Sequence, residues 1–259
     1  MTAAHLPLAT PDDAPVLSVV DLCVAYGGVQ ALDSVSLTLM PETVVALIGP
    51  NGAGKTTLFQ ALTAAVPVQS GRIVWRGQSL LGMPPHTLAG LGLVRMAQQA
   101  AVFQHLTVQD HLQLATHPLR TQRKPRLPVQ DWMEEVIDQL DLASILSTRA
   151  GELGQSLQRR VELARCLVAQ PLVMLLDEPA AGQTEADWQR MVGALQSLRT
   201  RLKASVLLIE HRLQWIWPIS DACWVLDQGR VIAQGSPELV RQHPAVIAAY
   251  LGEATHGWA

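Results

Sequence analysis

Residues 49–56 read Gly-Pro-Asn-Gly-Ala-Gly-Lys-Thr, and no other stretch of the chain limits its fold so tightly. The run fits the pattern G-x-x-x-x-G-K-[ST]. A continuous apolar stretch, Val44 to Ile48, precedes it and reads as a buried strand; a helical pattern follows from about Gly54 to Ala65. Strand, glycine-rich turn and helix in that order aim successive backbone N–H groups and a helix N-terminus at one point, where phosphate oxygens are held. Gly49, Gly52 and Gly54 permit the close approach, with Pro50, Asn51 and Ala53 completing the loop. Lys55 supplies charge at the β- and γ-phosphates, the Thr56 hydroxyl suits Mg²⁺, and Thr57 is the next candidate phosphate contact. The chain has only three lysines, Lys55, Lys124 and Lys203, so a lysine at this position is not incidental.

A second signal is Leu172-Val-Met-Leu-Leu-Asp177-Glu178-Pro179. An apolar strand ending in carboxylates suits a parallel sheet whose C-terminal edge faces the phosphates. There Asp177 would hold the Mg²⁺ shell through water, and Glu178 would accept a proton from an attacking water. The next strand, Val206 to Ile209, leads into Glu210-His211, from which a polar group can reach the γ-phosphate. A small-molecule kinase or a GTPase would share the loop at 49–56, but neither accounts for Asp177-Glu178 together with His211.

Other α/β signals surround these two. Strand patterns occur at Leu17 to Val24, Val35 to Leu39, Gly71 to Trp75 and Ala222 to Leu226, and helical ones at Leu157 to Ala169 and Glu185 to Leu202. From about Pro84 to Arg160 the pattern turns mostly helical, with Trp132, Met133, Val136, Ile137 and Leu140 at spacings of three and four. Arg120 to Arg126 reads as a solvated basic loop. The result is an α/β core interrupted by a helical subdomain.

Apolar residues are 49% of the 259 and charged ones 16%, which excludes disorder. Nineteen Lys+Arg against twenty-two Asp+Glu argue against nucleic acid as a partner. The longest uncharged stretch, Gly77 to Val94, is broken by prolines and glycines, so no spanning helix is expected, and Met1 to Val16 lacks the features of a signal peptide. Cys23, Cys166 and Cys223 lie far apart inside apolar runs and read as buried thiols of a reducing compartment.

Taken together, residues from about Leu17 to Gly252 resemble the ATP-binding subunits of ABC transporters, with the motifs in that family's order. The resemblance implies a P-loop NTPase core of the ABC ATPase type: a mixed sheet with an antiparallel β subdomain and an inserted helical subdomain. It divides the chain into a lead-in (1–15), one ATPase domain (16–252) and a tail (253–259). Within the domain it implies a core at 16–95 and 161–235, a helical subdomain at about 96–160 and a C-terminal helical segment at 236–252. It implies ATP and Mg²⁺ as cofactors, with Lys55, Glu178 and His211 catalytic and Thr56, Gln98 and Asp177 around the metal. Tyr26 falls where the family stacks an aromatic ring on adenine; packing at a strand end is its other reading. Implied partners are a second ABC ATPase subunit, transmembrane permease subunits and, indirectly, a solute-binding protein. The implied location is peripheral, at the cytoplasmic face of the inner membrane.

The family's signature Leu-Ser-Gly-Gly-Gln is replaced by Leu153-Gly154-Gln155-Ser156-Leu157. In the family's dimer that loop presses on the γ-phosphate bound by the opposite subunit. Here Gly154 stands for the serine, Gln155 and Ser156 for the glycines and Leu157 for the glutamine, leaving Ser156 to cap the following helix. Thr184 also departs from the Asn or Asp common in the adjoining loop. An asymmetric heterodimer therefore fits better than a homodimer, and an ABC-like nucleotide-binding regulator with little turnover is the alternative. Gly77-Gln-Ser-Leu-Leu-Gly-Met-Pro84-Pro85-His86, Leu91-Gly92 and the closing Pro244 to Gly252 resemble importers of branched-chain amino acids, urea and short amides. Phe103 is expected either to meet a permease subunit or to pack within the helical subdomain. Trp215, Trp217 and Trp224 are expected in the core or at a subunit contact.

Overall fold

The computed structural model describes residues 14–98 and 101–250. Gln99, most of the lead-in, and the expected tail with Leu251 and Gly252 lie outside the described residues. Strand β3 (Val44–Ile48), β7 (Val173–Asp177) and β8 (Ser205–Ile209) are buried along their whole lengths. Each is a run of apolar residues covered on both faces, as parallel strands inside a layered α/β core must be. They belong to a six-stranded sheet ordered β10-β9-β3-β8-β7-β6, where β6 is Leu93–Met96, β9 is Ala222–Asp227 and β10 is Arg230–Gly235. Only β10 runs antiparallel to its neighbour.

Side chains alternate across this sheet and so divide between two cores. Ala46, Ile48, Met174, Leu176, Val206 and Leu208 face the helical side, packing with α6 (Gln155–Val168) and α7 (Glu185–Leu202). Val45, Leu47, Val173, Leu175 and Leu207 face the other side, against α1 (Lys55–Leu62) and a second, antiparallel sheet. That second sheet is ordered β2-β1-β4-β5, with β1 at Leu17–Tyr26, β2 at Val29–Leu39, β4 at Ser70–Trp75 and β5 at Gln78–Ser79.

Between β6 and α6 the chain is helical: α3 (Val108–Ala115), α4 (His117–Thr121) and α5 (Val129–Gln139), α2 (Pro85–Leu91) having come before β6. The period seen in the sequence is satisfied by burial of Trp132, Val136 and Leu140. Trp132 also donates its indole N–H to the Leu167 carbonyl of α6 at 2.8 Å. Helix α6 continues through residue 160, so one unbroken helix joins the helical part to the core. After the two-turn element α8 (Leu213–Ile216), α9 (Pro237–Arg241) and α10 (Pro244–Tyr250) close the chain with Val240 and Val246 buried. Among the described residues no helix is long and apolar enough to cross a membrane.

Several expectations are corrected. The run Leu93–Met96 is a strand inside the stretch read as mostly helical, and β10 was not foreseen; both are short and carry an arginine, which hides their pattern. Ser156 does not cap α6. Gly154 occupies the cap position without a side-chain bond, because the helix starts one residue earlier at Gln155. The basic segment is not simply solvated, since α4 extends to Thr121 and Arg123 donates to the carbonyls of Ala169 and Gln170. Cys23 is half-buried: Leu22 and Val24 take the inward face of β1, and strand alternation turns Cys23 to the other.

Trp188 and Trp215 stack with centroids 5.2 Å apart, Arg212 lies over Trp215, and Trp224 is buried, as packing residues should be. Phe103, by contrast, is 60% exposed. Burial pushes the Cys166 and Cys223 thiols up to about 12, whereas hydrogen bonds from Ser70 and Ser34 hold the Cys23 thiol below its usual range. A thiol-specific reagent at neutral pH is therefore expected to label one cysteine of the native protein, Cys23, and all three after unfolding. Rapid native labelling of a second thiol would contradict the packing described.

Candidate nucleotide-binding site

The loop after β3 is shaped by close backbone contacts that only glycine tolerates. Gly49 has φ 149°, and a Cβ there would stand 2.0 Å from the Leu226 carbonyl oxygen. Gly54, with φ 103°, would place a Cβ 2.6 Å from the Ala31 oxygen. The loop is tied down by Ala53 N–H to Pro50 O and Gly229 N–H to Ala53 O. Helix α1 begins at Lys55 with no side-chain cap and no acidic residue in its first turn, leaving its N-terminal N–H groups for an anion. The Lys55 ammonium is buried and donates to the carbonyls of Gly49 at 2.6 Å and Pro50 at 2.8 Å.

Three further side chains come to this edge because of strand register. Asp177, the last residue of β7, pairs with Ile209, the last of β8. The residues that follow therefore emerge side by side. Glu178 accepts from Gln98 Nε2 at 2.8 Å on one carboxylate oxygen, and His211 Nε2 lies 3.0 Å from the other. Glu178 has a left-handed backbone (φ 48°), a conformation that a non-glycine residue adopts only where its surroundings hold it. Ala31, residues 51–57, Glu178 and His211 line one open cleft of ≈ 500 Å³.

Tyr26 is not among the residues lining that cleft. It is 43% exposed and its hydroxyl donates to Gln60 Oε1 at 3.3 Å. Leu153, Gly154, Gln155, Ser156 and Leu157 also lie away from the cleft. Ser156 donates to Gln183 Oε1 at 3.2 Å and to Asp187 Oδ2 at 3.1 Å. Thr184 caps α7 in a reciprocal pair with Asp187. Burial pushes the Asp187 carboxyl up, but bonds from Thr184, Arg160 and Ser156 outweigh it and hold it at about 2.

Asp177 is fully buried and ion-paired through Oδ2, while its Oδ1 has no hydrogen-bond partner. An orphaned carboxylate oxygen beside a threonine-bearing phosphate loop fits a divalent cation. Among the described residues no cluster of three His, Cys, Asp or Glu side chains could hold an ion. A cation here would thus need phosphate oxygens as co-ligands, the usual arrangement for Mg²⁺.

The sequence reading missed Arg159, Glu162 and Glu210. Arg159 donates to the carbonyls of Ala97, Asp177 (2.9 Å) and Glu178 (3.0 Å), and to Glu162 Oε2 at 3.1 Å. Glu210 accepts from the N–H groups of Ala180 and His211. Burial raises the carboxyls of both Glu162 and Glu210. The available clue was a charged i, i+3 pair within the otherwise apolar buried face of α6.

The fold and this loop define a P-loop ATPase cassette. A family described as ABC transporter matches residues 32–181, and one described as branched-chain amino acid ATP-binding cassette transporter matches residues 230–256. The chain belongs to the ABC transporter ATP-binding family and is an ABC-type ATPase. It is 38% identical over 252 residues to the high-affinity branched-chain amino acid transport ATP-binding protein LivG of Escherichia coli (strain K12), covering 93% of this chain and 99% of that one. It is 36% identical over 256 residues to BraF of Pseudomonas aeruginosa, which carries the same description, with 93% and 99% covered. A nucleotide-free ATP-binding cassette from an ABC transporter superposes with TM-score 0.79 at 26% identity, over 92% of this chain and all of that one.

Gly49→Ala is expected to destabilise the chain by about 1–3 kcal/mol from backbone strain alone, with further loss from the Leu226 contact. Gly52 also has a positive φ, but a Cβ there meets nothing within 4 Å. Gly52→Ala should therefore cost clearly less in denaturant unfolding; equal losses would contradict the loop geometry.

Proposed function

We propose that this chain is the ATP-hydrolysing subunit of an importer for branched-chain amino acids or a related small nitrogenous solute. The joint grip of Gln98 and His211 on Glu178, at the mouth of the phosphate loop, is the observation that carries the catalytic part of this reading. Lys55 and the N–H groups of residues 49–57 hold the phosphates, with Tyr26 offered to the adenine. Thr56, Asp177 and Gln98 surround Mg²⁺, which neutralises charge on the β- and γ-phosphates. Glu178 polarises the attacking water. His211 stabilises charge on the transferring γ-phosphoryl group and keeps the Glu178 carboxylate turned toward it.

Lys55 must leave the carbonyls of Gly49 and Pro50 to reach the phosphates. The subunit would sit peripherally at the cytoplasmic face of the membrane, bound to permease subunits and supplied through a solute-binding protein. The solute class rests on the match at residues 230–256 and on the likeness to LivG and BraF. Exposed Phe103 suits a permease contact.

An asymmetric heterodimer is supported by the signature region. At the start of α6 the cap position is a glycine with no side chain to offer a γ-phosphate, and the Ser156 hydroxyl is engaged within its own subunit. This chain thus offers a complete phosphate loop and a weakened signature, and a partner must supply the better one. The regulator reading draws on the same weakened signature, but it leaves Glu178 and His211 without a task.

Purified alone, the chain should bind ATP and turn it over slowly; adding the partner ATPase should raise turnover at least about tenfold, in the range by which general base catalysis and alignment act. Glu178→Gln in the complex should keep ATP bound while lowering hydrolysis about 10²–10⁴-fold. Full turnover by the chain alone would exclude the heterodimer. Unchanged turnover in Glu178→Gln would remove Glu178 from the mechanism, and a complex without turnover would favour the regulator.

A further inference from the structure

Strand β6 has four residues, and its third is a cation. Arg95 donates through Nη2 to Asp177 Oδ2 at 2.7 Å, and its Nη1 lies 3.5 Å from Thr63 Oγ1 at the end of α1. Its guanidinium carbon stands 6.0 Å from the centre of the Phe59 ring on α1. One side chain therefore spans β6, β7 and the helix that carries the phosphate loop. Asp177 is 1% exposed at its side chain and Arg95 21%. A carboxylate so deeply buried is costly unless paired, and among the described residues Arg95 is its ion-pair partner.

That pairing is one-sided. Oδ2 is taken by the guanidinium, while Oδ1 is buried with no hydrogen-bond partner. If both oxygens were free, the carboxyl group would rotate and present neither at a fixed place. With Oδ2 anchored, the position of Oδ1 is determined relative to β6 and, through Phe59 and Thr63, relative to α1 and Thr56.

We propose that Arg95 is a positioning residue for the divalent cation: it anchors one oxygen of Asp177 so that the other is presented, pre-oriented, to the cation's water shell. The inference rests on the reading of Asp177 and Thr56 as the metal-binding residues. Orientation by an outer hydrogen-bond partner is worth about 10–100-fold in metal affinity at protein sites. The guanidinium charge acts the other way, repelling a second cation. The sign of the net effect therefore tests the claim, and orientation is the term that wins.

The experiment uses the full chain with a non-hydrolysable ATP analogue and Mn²⁺ as the probe, bound Mn²⁺ being read by electron paramagnetic resonance. Arg95→Met is expected to weaken Mn²⁺ binding about tenfold without changing the affinity for the nucleotide in the absence of metal. Arg95→Lys should recover most of the loss. In the Asp177→Asn background, Arg95→Met should change Mn²⁺ affinity by less than about twofold, since its target carboxylate is gone. The double variant leaves no unpaired buried charge, so this comparison holds even where the single variant fails to fold.

Unchanged or tighter Mn²⁺ binding in Arg95→Met, or an equal loss in the Asp177→Asn background, overturns the role of Arg95. A wild-type chain that binds the nucleotide yet holds no Mn²⁺ overturns the metal-ligand reading beneath it, and the role of Arg95 with it.

Discussion

A single buried guanidinium holds the catalytic edge together. Arg159, in the second turn of α6, reaches the carbonyls of Ala97, Asp177 and Glu178 at once and is held by Glu162. Ala97 precedes Gln98; Asp177 and Glu178 end β7. Three backbone segments that meet nowhere in sequence are thereby fixed to one helix. The bond to the Glu178 carbonyl also helps hold its left-handed backbone, and that conformation aims the carboxylate at Gln98 and His211. Glu210 fastens the same edge from the other side, through the N–H groups of Ala180 and His211. The cost of burying these charges is offset only because each finds hydrogen-bonding partners.

Helix α6 begins in the altered signature, so Arg159 connects that region to Glu178 within one subunit. Ser156 adds a second tie, to Gln183 and Asp187 at the start of α7. A nucleotide pressed on the start of α6 by a neighbouring subunit would push on the element that positions the proposed base. This gives a weakened signature a consequence beyond lost contacts: less force would reach the opposite site, while this chain's own Glu178 stays in place. Asymmetry between two composite sites follows from that arrangement.

Much of this was legible in the sequence because it is local. The loop at 49–56 states its own geometry: glycines where Leu226 and Ala31 leave no room for a Cβ, and a lysine at the first turn of a helix. The apolar runs of β3, β7 and β8 are buried strands, and their ends place Asp177, Glu178 and His211 at one edge. What stayed hidden depends on long-range packing. Arg95 and Arg159 look like ordinary surface cations until β6 is known to pair with β7 and α6 to lie against both. Ser156 was misread because the helix starts one residue earlier than its cap chemistry suggested, a tertiary choice that a local rule does not contain. Cys23 was misread from apolar neighbours, when strand alternation decides which face each residue takes.

The central claim is that the phosphate loop, Asp177 and the trio of Gln98, Glu178 and His211 form one site for a metal–nucleotide complex. Its most direct test is a crystal structure of the chain with Mg²⁺ and a non-hydrolysable ATP analogue. The account predicts phosphates cradled by residues 49–57, Lys55 moved from the Gly49 and Pro50 carbonyls onto them, and the cation's water shell against Asp177 Oδ1. It predicts Glu178 facing the γ-phosphate. A nucleotide bound elsewhere, or a Glu178 carboxylate turned away from the γ-phosphate with Gln98 and His211 apart, would contradict it.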